Sequence, residues 1–267
     1  MPESRASAVT IGAYDGVHLG HRRVIETLRS LALAEGLRSV VVTFDRHPAS
    51  VVRPESAPKL LTDLEHKLEL LASLGVDDVE VVRFDEARAT ETAEDFVDEV
   101  LVGQLAARVI VVGRDFHFGK ARGGNVALLE EMGGERGFRV VPFELVDDEA
   151  RHEVVSSTRI RRLVARGALA EAAALLARPY EVRGTLAAAG GGRAQSVSVP
   201  EEILLPPPGG FRAEIGPLAT GGTLAPVFAE VLPGEEGDSR IIVAGATHRL
   251  RNGSRVRVVF DGGLSAS

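Results

Sequence analysis

The sequence predicts an α/β protein, a doubly wound, parallel, Rossmann-like sheet, followed by a second, smaller antiparallel β-barrel. Three observations carry this. Through residue 177, short apolar runs rich in β-branched residues alternate with amphipathic stretches of helical period, the pattern of a parallel sheet covered by helices. After Arg178 come six short β-rich runs divided by Gly- and Pro-rich turns such as Gly190–Gly192 and Pro206–Gly210, which suits a small barrel. A chain of 267 residues with 45% hydrophobic content can also bury the cores of two modest units. Domains are therefore expected over 1–177 and 178–267.

Composition narrows the function. A net charge of -7, with no basic run longer than three residues, argues against a general nucleic-acid binder. Zero cysteines exclude disulfides, zinc-thiolate sites and cysteine nucleophiles, and fit a cytoplasmic protein. No apolar run approaches membrane length and no signal-peptide pattern opens the chain, so no membrane partner is expected.

The first strand is expected over Val9–Ile11. Gly12 and Gly16 then let the backbone turn tightly and let a ligand approach. From Leu19 the positions Val24, Ile25 and Leu28 share a helical face, in a helix expected to run to about Glu35 and stop at Gly36. A strand, a glycine-rich turn and a helix start form an anion site, because free N–H groups and the positive helix end point outward. His18 and His21, three apart at that start, share a face and can reach one phosphate. The spacing is neither Gly-x-x-x-x-Gly-Lys-Ser/Thr nor Gly-x-Gly-x-x-Gly, so a P-loop and a dinucleotide fingerprint are both excluded. Two histidines without cysteine make a poor zinc site, and no protein side chains are assigned to a metal.

Ser39–Phe44 is a second buried strand, ending in Asp45-Arg46-His47-Pro48. Ligands of open α/β sheets bind outside such carboxyl ends. Thr62-Asp63-Leu64-Glu65 is a capping box opening a helix with Leu64, Leu68, Leu71 and Leu74 inward, ended by Gly75. Val79–Val82 is a third strand. Thr92 with Asp95 opens a helix burying Phe96, Val97, Val100 and Leu101. Both helices and the third strand read as scaffold.

Arg108–Val112 is the fourth strand. The loop after it, Gly113 to Asn125, carries Phe116 and Phe118, which can lie beside a flat ring, and Lys120 and Arg122, cationic donors for phosphate. A helix over Val126–Arg136 and a fifth strand over Arg139–Phe143 follow. In Val155-Ser-Ser-Thr-Arg-Ile-Arg-Arg162 hydroxyl residues cap a helix whose first turn holds arginines. Arginine there opposes the helix dipole, and a bound anion would offset the conflict. A short helix over Leu169–Ala177 closes the domain.

Four of these strings, in this order, resemble one family. Gly12-Ala-Tyr-Asp-Gly-Val-His-Leu-Gly-His21, Phe44-Asp-Arg-His-Pro48, Gly113-Arg-Asp-Phe-His-Phe-Gly119 and Ser156-Ser-Thr-Arg159 look like the adenylyltransferase half of the bacterial FAD synthetases, the bifunctional riboflavin kinase/FMN adenylyltransferases. Phenylalanine is usual where Tyr14 stands. The resemblance implies transfer of AMP from ATP to FMN, giving FAD and pyrophosphate, with Mg²⁺ entering with ATP. It implies that His18, His21 and Arg159 are catalytic. Gly12, Ala13, Tyr14, Asp15, Gly16, Ser157 and Thr158 would bind nucleotide. Phe44, Asp45, His47, Pro48, Asp115, Phe116 and Phe118 would bind the flavin.

The barrel runs are Glu181–Leu186, Ser196–Val199, Phe211–Ile215, Val227–Val231, Ile241–Val243 and Arg255–Phe260. Arg178-Pro-Tyr-Glu-Val-Arg-Gly184 resembles the entry to the family's riboflavin kinase, but the expected Gly-x-Pro-Thr-Ala-Asn is replaced by Arg193-Ala-Gln-Ser-Val-Ser-Val-Pro200. No clear match to the kinase's catalytic glutamate or its C-terminal helix appears. A degenerate barrel without kinase activity is expected.

Two rivals stay open on sequence alone. The same chemistry could serve another phosphorylated acceptor, such as nicotinate mononucleotide or phosphopantetheine, and CTP could replace ATP. A protein that binds flavin or nucleotide without catalysis is the other. A homo-oligomer is compatible with each reading.

Overall fold

The structure is a computed structural model that describes residues 6–144, 147–148, 153–188, 195–218, 222–233, 239–245 and 250–264. The turn expected over Gly190–Gly192 lies outside them. Contacts divide the chain into two compact units, Met1–Pro58 with Leu64–Val155, and Lys59–Asp63 with Ser156–Ser267.

The first unit is built on five parallel strands: β1 (Ser7–Ile11), β2 (Arg38–Phe44), β3 (Asp78–Val82), β4 (Ala107–Gly113) and β5 (Arg139–Phe143). Their spatial order is β3-β2-β1-β4-β5. Val9 lies beside Val40 on one side and Ile110 on the other. Because side chains alternate along a strand, Val9, Ile11, Val40 and Ile110 enter one core with Phe96, Leu101 and Leu129. Ala8, Val41, Val109 and Val111 enter the other with Ile25, Leu28 and Leu71. Each such fully buried leucine or isoleucine contributes about 1.5–3 kcal/mol. The strand order reverses between β1 and β4, so the crevice beyond their carboxyl ends is where this topology holds ligands.

Helix α1 (Leu19–Glu35) ends on Gly36, whose φ of 65° returns its N–H to the Ala32 and Leu33 carbonyls. Helix α2 spans Leu64–Ser73, and α3 spans Val126–Arg136 between an Asn125 cap and Gly137. The helix expected after Thr92 is only partly regular. Thr92 caps one α-turn, Ala93–Phe96, which widens into a π-helix over Val97–Gln104, where the Leu105 N–H reaches the Val100 carbonyl. Phe96, Val97, Val100 and Leu101 are buried, as the apolar spacing requires. Short helices at Ala49–Val52 and Glu86–Thr90 follow β2 and β3.

In the second unit, helices α4 (Ser157–Ala165) and α5 (Leu169–Leu176), grouped with the sheet by their order in sequence, join the barrel by contact. The barrel is closed and antiparallel. Its strands are β6 (Tyr180–Ala188), β7 (Gln195–Val199), β8 (Gly209–Pro217), β9 (Ala225–Val231), β10 (Ser239–Gly245) and β11 (Arg255–Leu264), in the order β6-β7-β10-β9-β8-β11. Alternate residues fill it: Val182 and Leu186 on β6, Phe211 and Ile215 on β8, and Val256, Val258 and Phe260 on β11 are all buried. Closure brings β6 so near β7 that a Cβ on Gly184 would lie 2.3 Å from the Ser198 carbonyl oxygen. The segment 59–63 is stitched to this unit by the Leu60 N–H to Glu202 and by the Leu204 N–H to Leu60. Among the described residues no helix is long and apolar enough to cross a membrane.

Candidate functional site

The chain leaves β1 through a strained turn. Tyr14, Gly16 and Val17 have φ of 51°, 82° and 41°, in the left-handed region that a β-branched residue such as Val17 rarely enters. A Cβ at Gly12 would sit 3.0 Å from the Tyr14 ring, tighter than an ordinary contact. That ring is buried, and the Tyr14 hydroxyl pairs with Thr10 Oγ1 at 2.7 Å. Burial pushes the phenol well above its usual pKa, so it stays protonated; the Thr10 bond opposes that push weakly.

The two imidazoles stand where α1 begins. His18 is the cap: its Nδ1 accepts the His21 N–H at 3.4 Å, which leaves the ring hydrogen on Nε2. The rings stack at 3.6 Å and 16°, and His21 meets the Tyr14 ring edge-on at 4.9 Å. His21 Nδ1 is buried without a hydrogen-bond partner. Burial, then the neighbouring charges of His18 and Lys67, hold His21 well below the usual histidine pKa. At neutral pH it is an uncharged imidazole with one N–H to give.

Lys67, on α2, locks this turn to the sheet. It is buried and donates to the Phe44 carbonyl at 2.8 Å and to the Ala13 carbonyl at 3.3 Å. Thr43 Oγ1 donates to the same Ala13 oxygen at 3.3 Å. Burial lowers the Lys67 pKa to about 8, against the pull of Asp15 and Asp45.

A cavity of about 330 Å³ opens at the switch point between β1 and β4. Ile11, Gly12 and Ala13 line it from β1, and Phe44, His47 and Pro48 from β2. Phe84 and Arg88 come from beyond β3, and Phe116, Phe118 and Arg122 from beyond β4. Its walls are aromatic. Phe116 and Phe118 stack at 5.3 Å and 15°, Phe118 meets Phe96 at 6.0 Å, and Phe44 meets Phe84 edge-on at 5.3 Å. A slot between such rings suits a flat conjugated ligand. Burial opposes ionisation of Asp45, but the Phe84 N–H at 2.8 Å and the Arg46 guanidinium outweigh it and hold the carboxyl below the usual range.

Eight of the residues named from sequence therefore share one wall: Gly12, Ala13, Phe44, His47, Pro48, Phe116, Phe118 and Arg122. Tyr14, Asp15, Gly16, His18 and His21 form the adjoining turn, off that wall, and Asp45 is tied to the Phe84 N–H. Asp115 and Lys120 are exposed in the β4 loop, where the Asp115 carbonyl meets His117 Nδ1 at 2.7 Å. Ser157, Thr158 and Arg159 form the first turn of α4 in the second unit, and the capping side chain is Ser156, which accepts the Arg159 N–H at 3.3 Å.

Sequence reasoning missed Lys67, Phe84 and Arg88. Lys67 could have been found, since it shares the apolar face of α2 with Leu64 and Leu71 at helical spacing. Phe84 and Arg88 follow a strand's carboxyl end just as the chosen loops do.

A family model described as FAD synthetase matches residues 1–159. The chain belongs to that family. Curated relatives named bifunctional riboflavin kinase/FMN adenylyltransferase include one from Listeria monocytogenes, 39% identical over 180 residues, covering 67% of this chain and 56% of its own. One from Escherichia coli K12 is 37% identical over 176 residues, covering 66% and 56%, and one from Buchnera aphidicola of Schizaphis graminum is 32% identical over 178 residues, covering 67% and 57%. The chain thus spans a little over half the length of the curated relatives it matches. A solved structure titled as a macrolide-efflux protein from Streptococcus pneumoniae superposes with a TM-score of 0.79 over 96% of this chain and 84% of its own, at 23% identity, a likeness of fold.

Proposed function

We propose that the chain transfers AMP from ATP to FMN, giving FAD and pyrophosphate. The observation that carries this reading is the aromatic slot at the β1/β4 switch point, adjoining a strained turn capped by paired imidazoles. The slot takes a flat ring, and the turn and helix start take phosphate. The terminal phosphate oxygen of FMN attacks the α-phosphorus of ATP in line; the new P–O bond forms as the bond to the β-phosphate oxygen breaks and pyrophosphate leaves. Such a transfer depends on alignment and charge stabilisation rather than on a nucleophilic side chain.

In this proposal Phe44, Phe116 and Phe118 hold the isoalloxazine, with His47 and Pro48 at its border and Asp45 and Asp115 ordering the loops around it. Gly12 to Gly16 cradle the nucleotide. His18 and the uncharged His21 act as N–H donors to phosphate oxygens as charge moves to the leaving group. Ser157, Thr158 and Arg159 grip the phosphate chain, with Lys120 and Arg122 as further cations. Mg²⁺ would arrive on the ATP phosphates and offset their charge. The same proposal keeps the enzyme cytoplasmic, without nucleic-acid or membrane partners.

The test is pyrophosphate release with Mg·ATP and a panel of FMN, nicotinate mononucleotide and phosphopantetheine, repeated with CTP. FMN with ATP should be turned over fastest. Faster turnover of another acceptor would reject FMN, and binding of both substrates without release would reject catalysis. We further propose that the barrel lacks riboflavin kinase activity, because the strand that replaces the kinase's Thr–Ala–Asn segment is Gln195–Val199, with Val197 and Val199 buried in the barrel. Incubation with riboflavin and Mg·ATP should yield no FMN; its formation would refute the point.

A further inference from the structure

We infer that Arg88, with Glu91, selects the acceptor by reading the edge of its ring: a flat, uncharged ring whose rim places a carbonyl beside an N–H. This rests on the reading of the aromatic cavity as the acceptor site. Arg88 and Glu91 both line that cavity, from the short helix Glu86–Thr90 and the residue that ends it. They are a charged pair in a wall that carries Phe44, Phe84, Phe96, Phe116 and Phe118, with Arg122 as its other charged side chain and His47 and His117 as imidazoles. An aromatic slot alone would hold any flat ring, so discrimination falls to the polar groups on its wall, and Arg88 with Glu91 offers a donor beside an acceptor.

The geometry limits what the pair can bind. The Arg88 guanidinium lies over the Phe96 ring, 5.9 Å from its centre. Its Nη1 donates to both Glu91 oxygens at 2.7 and 2.8 Å, and its Nη2 to Glu99 at 3.2 Å. A guanidinium carries N–H donors on three nitrogens, five in all. Nη1 is used up by Glu91, and Glu99 takes one hydrogen of Nη2, so the Nε–H and the second Nη2–H are left to donate. The Glu91 oxygens each hold one bond and can accept another.

Charge decides between ligands. One guanidinium faces two carboxylates, so the cluster is negative by one overall. By itself it does not attract a phosphate, a task the proposal leaves to Arg122 in the same lining, and it repels a carboxylate brought against it, which disfavours a nicotinate ring docked by that edge. A neutral carbonyl can take the spare N–H, and a neighbouring ring N–H can reach Glu91. The pyrimidine end of a flavin has that alternation of carbonyl and N–H. A site built to hydrogen-bond such a rim leaves its own polar groups unpaired when the rim is altered, which makes rejection strong.

The experiment measures binding of riboflavin to the full chain by flavin fluorescence, without turnover, beside 3-methylriboflavin, whose rim N–H is replaced by a methyl group. The wild-type protein should bind 3-methylriboflavin at least tenfold more weakly than riboflavin. Arg88→Leu should bind riboflavin at least tenfold more weakly than wild type, lose most of the discrimination, and keep its KM for ATP within twofold. Equal binding of the two flavins by the wild-type protein, or unchanged riboflavin affinity in Arg88→Leu, overturns the inference; the first comparison needs no variant. Normal riboflavin binding with no adenylyl transfer would overturn the proposed function and leave the role of Arg88 standing. Absence of flavin binding by the wild-type protein would overturn both.

Discussion

Replacing Lys67 by methionine should separate stability from activity. The ammonium is buried, and its pKa is lowered from 10.5 to about 8. At 1.36 kcal/mol per pH unit, that drop means the charged form costs the fold about 3.4 kcal/mol at pH 7. Methionine fills similar space and removes the cost. It also takes a donor from the Phe44 and Ala13 carbonyls, at about 1–3 kcal/mol each, although Ala13 keeps its bond from Thr43. The opposing amounts nearly cancel, so Lys67→Met should stay within about 2 kcal/mol of wild type. The turn over Gly12–Gly16 loses the Lys67 bridge to the end of β2, keeping the bonds from Thr43 and to Val42, and kcat/KM should fall at least tenfold, about 1.4 kcal/mol. The pH dependence has a definite sign. Between about 8 and 10.5 the unfolded lysine holds a proton that the folded one has released, so wild-type stability rises with pH across that window and the variant lacks the rise. Urea unfolding from pH 7 to 10, with pyrophosphate release at pH 7, measures each quantity. A variant that turns over like wild type, or one destabilised by more than about 4 kcal/mol, would refute the reasoning.

His21→Gln should slow adenylyl transfer about a hundredfold or more, near 2.7 kcal/mol of transition-state stabilisation. It should also flatten the acid limb of stability. The folded His21 pKa is lowered, so below about pH 6.5 the unfolded chain takes up a proton the folded one refuses; wild type then loses up to about 1.4 kcal/mol per pH unit and the variant does not. Urea midpoints between pH 7 and 5 test this, and equal slopes would remove the buried, neutral His21. Gly119→Ala puts a Cβ 2.7 Å from the Ala93 backbone nitrogen at a φ of 70°, so it should cost about 1–3 kcal/mol and weaken riboflavin binding. Wild-type stability in that variant would show that the β4 loop does not pack against Ala93.

The parts of the fold legible in sequence were those with a strong local signal. The β-branched runs at Ser39–Phe44 and Arg108–Val112 are central strands because buried parallel strands admit little else. Gly36 and Gly137 end helices where they were expected to or where the pattern stopped. What stayed hidden depends on contacts between distant segments. The π-helix over Val97–Gln104 has the same apolar spacing as an α-helix would need to bury Phe96, Val97, Val100 and Leu101, so spacing cannot tell them apart. Arg88 reads as one exposed charge in a polar stretch; only folding sets it over Phe96 and against Glu91 and Glu99. The wall of the cavity was legible through glycines and phenylalanines after strand ends, but the carbonyls that Lys67 anchors carry no sequence mark at all.

Strain explains why the two sides of this site should behave differently. Among the described residues, four of the six non-glycine residues with left-handed φ lie in the loops leaving β1 and β4: Tyr14, Val17, Ala121 and Arg122. Each costs about 1–3 kcal/mol and persists only where its surroundings impose it. In the β1 turn they do. Val17 is fully buried, a gain of about 1.5–3 kcal/mol that matches the strain, and Tyr14 is held by Thr10 and the His21 ring. In the β4 loop Ala121 and Arg122 are exposed, and their conformation is held by the Arg122 N–H to Gly119 and the Gly123 N–H to Lys120. The first loop is therefore set before any ligand arrives, whereas the exposed Ala121–Arg122 tip of the second can be reshaped at the cost of two turn hydrogen bonds while the rest of that loop stays packed on Ala93. That division suits the chemistry proposed. In-line transfer loses rate steeply with misalignment of the phosphates, whereas stacking on a flat ring tolerates sliding, so rigidity belongs at the turn beside the imidazoles and adaptability at the aromatic slot.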